Sequence, residues 1–268
     1  MKVSSLREKL DKARRGIARK LRPRTLRELP APGMLSICFD DFPKTAWTVG
    51  GPVLRDHGVR ATYYVSGGLR ETIFDGERMF DAGDLEAVHA EGHEIGCHTF
   101  DHQSCLRRGT GALLRSIDDN ARFVRGHLGD VRLVSFAYPY GDAPYRAKRF
   151  AAGRFATARG VDAGLNRGTL DVGQLKAVGL EASRKGLDQV LGWIERAARD
   201  RAWLVVYTHD VQERPSDYGC RPAELERLIS SAKGAGLEIL SVQAALAART
   251  GAMTSPRAPS SAGKRRGA

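Results

Sequence analysis

Two carboxylates stand side by side where an apolar run ends in "LSICFDDFP", at Asp40 and Asp41. Adjacent like charges repel and burial adds a desolvation cost, so the pair needs positive charge from elsewhere in the chain. The segment "GCHTFDHQS" offers two imidazoles four residues apart, His98 and His102. They reach one ion if the second lies on a turn following a strand. A carboxylate from another strand then completes three protein ligands and leaves positions open for water and substrate, as a catalytic zinc site requires; Asp41 is the candidate. HxxxH alone is commonly incidental, and the acidic pair gives this one its weight. His209 ends the run in "LVVYTHDV"; an imidazole is the side-chain type suited to proton donation to a leaving group near neutral pH, although a histidine there equally suits a structural hydrogen bond. Asp210 either orients it or begins the next loop.

A scaffold must gather these groups. Between residues 34 and 247, short apolar runs ("MLSICF", "ATYYVSG", "HEIGCH", "LVSFAYP", "RFATARG", "LKAVGLEA", "WLVVYTH", "LEILSV") alternate with helical patterns. The helices are expected at 47–57, 84–91, 111–128, 143–151, 187–199 and 222–235. Such alternation predicts an α/β fold with a parallel sheet covered by helices and closed into a barrel. Asp40 and Asp41, His98, Tyr140 and His209 fall at or just after strand C-terminal ends, the rim where parallel barrels build active sites.

The chain of 268 residues carries a formal charge of +12, of which residues 1–28 hold +8 and residues 249–268 hold +5, leaving the body near neutral at −1. That distribution argues against nucleic acid as partner and divides the chain into a basic N-terminal extension (1–30), one domain (31–248) and a disordered basic tail (249–268). A helix over residues 4–21 would gather Leu6, Leu10, Ile17 and Leu21 among lysines and arginines, which fits either a solvated helix or contact with an anionic membrane surface. The charged start lacks the apolar stretch of a secretory signal, so the expected location is cytoplasmic, and membrane-peripheral only in the second of those readings. Cys38, Cys97, Cys105 and Cys220 show no CxxC spacing and read as reduced packing residues.

The ordered motifs "FDD", "HTFDH", "YPYG" and "YTH" resemble the NodB-homology polysaccharide deacetylases, carbohydrate esterase family 4, across about residues 34–247. The resemblance implies a distorted (β/α) barrel of about seven parallel strands. It also implies removal of acetyl groups from N-acetylated glycans, such as chitooligosaccharides, with one divalent metal, usually zinc. By motif position, Asp40 corresponds to the catalytic base and Asp41, His98 and His102 to the metal ligands. Tyr140 corresponds to the residue whose backbone N–H holds the oxyanion, and His209 to the general acid. Tyr138 and Pro139 of the same motif are substrate-binding candidates.

The departures are specific. Cys38 and Phe42 flank the acidic motif where the family often has threonine and glycine, and Ala137 replaces the arginine that steadies the base. No clear DxxDW motif is present to tune the acidic histidine, and Asp162 is only a loose positional substitute. Arg159 is the expected replacement support for Asp40. Trp47 either stacks on a sugar at the rim or packs into the core. Cys97 should point away from His98, whereas Cys38 shares a nominal face with Asp40. Two other functions keep the same fold: hydrolysis of a non-sugar amide or cyclic imide, and a catalytically inactive glycan-binding or membrane-associated barrel. Retention of all five polar residues weighs against the inactive form.

Overall fold

The computed structural model describes residues 11, 13, 16–182 and 186–251. Strands β1 (Thr25–Arg27), β2 (Met34–Phe39), β3 (Thr62–Val65), β4 (Ile73–Phe74), β5 (Glu77–Arg78), β6 (Glu94–Cys97) and β7 (Ser135–Ala137) are followed by β8 (Thr157–Arg159), β9 (Thr169–Asp171), β10 (Val178–Gly179), β11 (Trp203–Thr208) and β12 (Glu238–Ile239). Helices α1 (Lys44–Thr48), α2 (Gly50–Asp56), α3 (Ala82–Ala90), α4 (Thr110–Leu128), α5 (Tyr145–Arg154), α6 (Gly186–Arg199), α7 (Pro222–Gly234) and α8 (Val242–Thr250) alternate with them. Seven strands pair in the order β10-β11-β2-β3-β6-β7-β8, all parallel, and β12 adds to β2. The sheet curls into a half-barrel. The segment after β9 borders its β8 edge, where the Leu175 N–H donates to the Ala158 carbonyl at 2.7 Å and the Gly160 N–H to the Leu175 carbonyl at 3.1 Å.

Strand alternation sorts the core into two sides. Leu35, Ile37 and Phe39 of β2 join the outer layer under the helices with Tyr63, Val65, Leu204 and Val206. Met34 and Cys38 point inward with Tyr64, Trp203, Val205 and Tyr207. Helix α8 packs Val242, Ala245 and Leu246 into this inner group. Its first turn lies on buried Glu94, whose carboxylate accepts from the Gln243 N–H at 2.8 Å and the Thr62 hydroxyl at 2.9 Å. A carboxylate at a helix N-terminus is favourably placed against the dipole. The N-terminal ends of the strands are thus closed by packing and the C-terminal ends are left for chemistry.

Some sequence expectations need revision. The helix expected over 47–57 is two helices broken at Val49. Helix α8, strands β1 and β9 and the β4–β5 hairpin had no counterpart in the pattern. Arg249, counted with the basic tail, is buried in α8, pairs with Glu28, and donates to the carbonyls of Pro32 and Arg201, both at 2.8 Å. Part of the basic N-terminal segment is likewise built in: β1 pairs with β9, and Arg24 donates to the carbonyls of Ala152 and Phe155. Residues 16–20 are helical. Leu6, Leu10 and residues 252–268 lie outside the described residues. Among the described residues, no helix is long and apolar enough to cross a membrane.

Candidate active site

The five polar residues singled out above converge. Asp40 and Asp41 follow β2, His98 follows β6, His102 sits on the next turn and His209 follows β11; all line one pocket of about 230 Å³ with Tyr138, Tyr140, Val161, Glu181 and Tyr207. Five non-glycine residues here have left-handed backbone: Asp41 (φ 63°), Phe42 (68°), Thr99 (63°), His102 (46°) and Tyr140 (58°). Such conformations cost of order 1 kcal/mol or more each and persist where surrounding packing enforces them. Phe42 shows how. It is fully buried, stacks on Phe80 at 4.8 Å and touches Tyr63 at 5.0 Å. Its carbonyl accepts from the Phe80 N–H at 3.2 Å, so the aromatic that replaces a small residue anchors the base of the β4–β5 hairpin.

Asp41, His98 and His102 are buried and present ligand atoms within 4.8 Å of one another. His98 Nε2 is 3.2 Å and His102 Nε2 2.9 Å from Asp41 Oδ1. Burial raises the Asp41 carboxyl, but hydrogen bonding to His102 and His98 outweighs it and holds the group well below the usual carboxylate range. Burial pulls His98 down, and the interactions with Asp41 and Asp40 more than reverse it. His98 Nδ1 lies 2.9 Å from the Ala137 carbonyl and must carry a hydrogen to bond it. Its Nε2 lone pair then faces a carboxylate, an arrangement that is repulsive unless a proton or a cation sits between them. The donor set, its closeness and this orientation fit a divalent ion.

The other aspartate is held differently. Arg159, on β8 and almost completely buried, donates from Nη2 to Asp40 Oδ1. The guanidinium lies between the rings of Tyr64 and Tyr207, 4.9 and 5.0 Å from their centroids, and donates to the Gly160 carbonyl at 3.1 Å. Burial disfavours its charge, and Asp40 more than offsets that, leaving Arg159 firmly cationic. Cys38 is buried on the same side and its thiol is pushed up by burial, so it stays protonated and packs. Cys97 lies on the opposite face with Ile117 and Phe136.

His209 approaches from across the pocket. Its Nε2 is 3.9 Å from Asp41 Oδ2, and its Nδ1 is 3.2 Å from the Tyr218 carbonyl. That carbonyl fixes the Nδ1 hydrogen and leaves Nε2 to exchange a proton toward the pocket. Asp210 does not orient this ring. It accepts from the Ser216 N–H and the Gln212 side chain, both at 2.9 Å, and so shapes the loop that brings Tyr218 into place.

Asp162 is corrected as the residue that tunes His209: its carboxylate bonds Arg19 at 2.7 Å and Gln174 at 3.1 Å and lines a different groove. Trp47 is corrected as a sugar platform. It packs edge-on to Tyr63 at 6.5 Å and His93 at 5.8 Å and does not line the pocket. Pro139 is buried outside the lining, and Tyr138 reaches the wall while its hydroxyl donates to the Gly173 carbonyl at 2.8 Å. Tyr140 is 59% exposed, with its ring 4.6 Å from that of His102. Sequence reasoning missed Phe74, Asp75 and Glu77 of the β4–β5 hairpin, which edge the pocket; the Asp-Gly pair at its tip was the available signal. Glu181 and Tyr218 were also missed and carried no motif.

Residues 28–154 match the family model described as polysaccharide deacetylase. The chain is 26% identical over 117 residues to a chitin deacetylase of Colletotrichum lindemuthianum, an alignment covering 42% of each chain. The chain thus matches about 42% of that relative's length. Among solved structures, a deacetylase with bound substrate superimposes with a TM-score of 0.52 at 16% identity, covering 84% of this chain and 94% of the other. A family 4 acetyl xylan esterase from Clostridium thermocellum, solved with a cobalt ion, gives 0.52 at 20% identity, covering 80% and 90%. At these identities the structural likeness speaks to the fold.

Proposed function

We propose that the chain, whose residues 28–154 match the polysaccharide deacetylase family model, hydrolyses N-acetyl groups on an N-acetylglucosamine-containing oligo- or polysaccharide and releases acetate. One observation carries this reading. A single pocket joins the Asp41, His98 and His102 set, a second carboxylate clamped by Arg159, and a histidine on the opposite wall.

Asp41, His98 and His102 would hold one divalent ion, zinc by the two-imidazole and one-carboxylate donor set. When bound, the ion supplies positive charge that polarises the amide carbonyl and the attacking water. Asp40 takes the proton from that water, and the Arg159 guanidinium holds the base in place. The Tyr140 N–H, on the left-handed turn at the rim, donates to the oxygen that becomes negative as the carbonyl carbon turns tetrahedral. The carbon–nitrogen bond then breaks with its electron pair on nitrogen, and His209 Nε2 delivers the proton. Acetate and a free amine leave. The four cysteines, all buried and unbridged, support a reducing, cytoplasmic setting.

The test is metal content and acetate release by the full chain on N-acetylglucosamine oligomers, before and after chelation and zinc return. About one ion per chain is expected, with both ion and turnover lost in His98→Ala and His102→Ala. Acetate release that survives in either variant overturns the proposal.

A further inference from the structure

Outside the pocket, one surface combines apolar exposure with uncompensated positive charge. Ile17 is 59%, Leu21 39% and Tyr145 38% exposed. Ile17 and Leu21 are four residues apart, Tyr145 and Arg149 repeat that spacing along α5, and Arg146 lies three before Arg149. The two elements are fixed together. Ala18 is buried and its carbonyl accepts from Lys148 Nζ of α5 at 3.1 Å, while Ile17, Tyr145 and Arg146 share the wall of a groove with Leu106 and Arg108. Lys20, Arg146 and Arg149 are exposed and form no ion pair among the described residues. The nearby acids are engaged, Asp162 by Arg19 and Asp118 by Arg154.

We infer that this face, made by residues 17–21 and the outer side of α5, docks on an anionic lipid bilayer. Aliphatic side chains and a tyrosine at the level of the headgroups, ringed by lysine and arginine, match the chemistry of an interfacial membrane contact. Charge complementarity selects an anionic surface. The exposed Ile17 and Leu21 separate the bilayer from nucleic acid, because they have no partner on a phosphate backbone. The clamp from Lys148 to Ala18 presents the face ready-made. In the deacetylase reading, a membrane-docked enzyme would meet its glycan on a lipid carrier, but the surface is argued without reference to the reaction.

The experiment is co-sedimentation of the full chain with vesicles of phosphatidylcholine alone and of phosphatidylcholine mixed with phosphatidylglycerol, with duplex DNA as a competitor at the same salt. Binding to the mixed vesicles only, weakened by added salt, is expected. Ile17→Ser with Leu21→Ser, and separately Arg146→Glu with Arg149→Glu, should each lower vesicle partitioning about tenfold or more. Urea unfolding and acetate release from soluble oligomers should stay at wild-type values. Equal binding to neutral vesicles, indifference to both double variants, or preferential retention by DNA overturns the inference. Vesicle binding by a wild-type chain that releases no acetate would instead count against the deacetylase reading and leave the docking surface standing.

Discussion

Replacing Arg159 by methionine removes the positive charge that makes a buried Asp40 tolerable. With charge centres about 4 Å apart and an effective dielectric near 20, the attraction between them is about 4 kcal/mol. The rings of Tyr64 and Tyr207, 4.9 and 5.0 Å from the guanidinium, add about 2 kcal/mol each where the contact is desolvated. Breaking a buried pair by removing one member costs about 3–5 kcal/mol, because the other charge is stranded. Asp40→Asn should cost less, about 2 kcal/mol, since Arg159 still donates to the Gly160 carbonyl and keeps both rings. The double variant leaves no stranded charge, so the four proteins should show a coupling of about 3 kcal/mol by urea unfolding in chelator at neutral pH. Turnover should fall about 100-fold or more in Arg159→Met. Arg159→Lys should recover part of it, because it restores charge without the planar fork. A coupling below about 0.5 kcal/mol, within ordinary additivity error, or undiminished turnover in Arg159→Met, would refute the account of Asp40 as a clamped base.

Two further outcomes follow from the fold. His93 accepts the Ala61 N–H on Nδ1 at 3.0 Å, and burial, aided by Arg60, depresses its pKa from 6.5 to about 4. A depressed histidine contributes stability that is fully present above pH 6.5 and is lost as the pH falls toward 4, because the unfolded chain takes the proton first. The loss is about 3 kcal/mol, and the difference in unfolding free energy between wild type and His93→Asn across that window measures it; identical slopes would exclude the assignment. Gly141 has φ 65°, and a Cβ there would meet Val161 Cγ2 at 2.2 Å. Gly141→Ala should therefore cost about 1–3 kcal/mol and reduce turnover by displacing the adjacent Tyr140, whereas unchanged melting and turnover would show that the turn has slack.

How much of this was legible in the sequence depends on the kind of information each residue carries. The half-barrel was readable because a parallel strand buried on both sides must be a continuous apolar run, as "MLSICF" and "WLVVYT" are. The clustering of Asp41, His98 and His102 was readable because all three lie in short, ordered motifs at strand ends. Arg159 was half readable: the missing arginine at Ala137 demanded a replacement, but nothing local in "TARG" indicates that β8 delivers its side chain between Tyr64 and Tyr207. Asp162 and Trp47 show the opposite failure, with plausible residue types close in sequence and wrong in space. Asp162 turns to Arg19, whose position depends on how the N-terminal helix packs, and Trp47 lies over Gly51, where an added Cβ would come within 2.6 Å of the indole. The partner of His209 lay beyond motif reading altogether, because it is the backbone carbonyl of Tyr218, and any residue type could supply it. A carbonyl fixes the tautomer of an imidazole without adding the negative charge that an aspartate would bring. The loop held by Asp210 therefore orients His209 through a backbone carbonyl, which distinguishes this site from one in which a carboxylate bonds the imidazole.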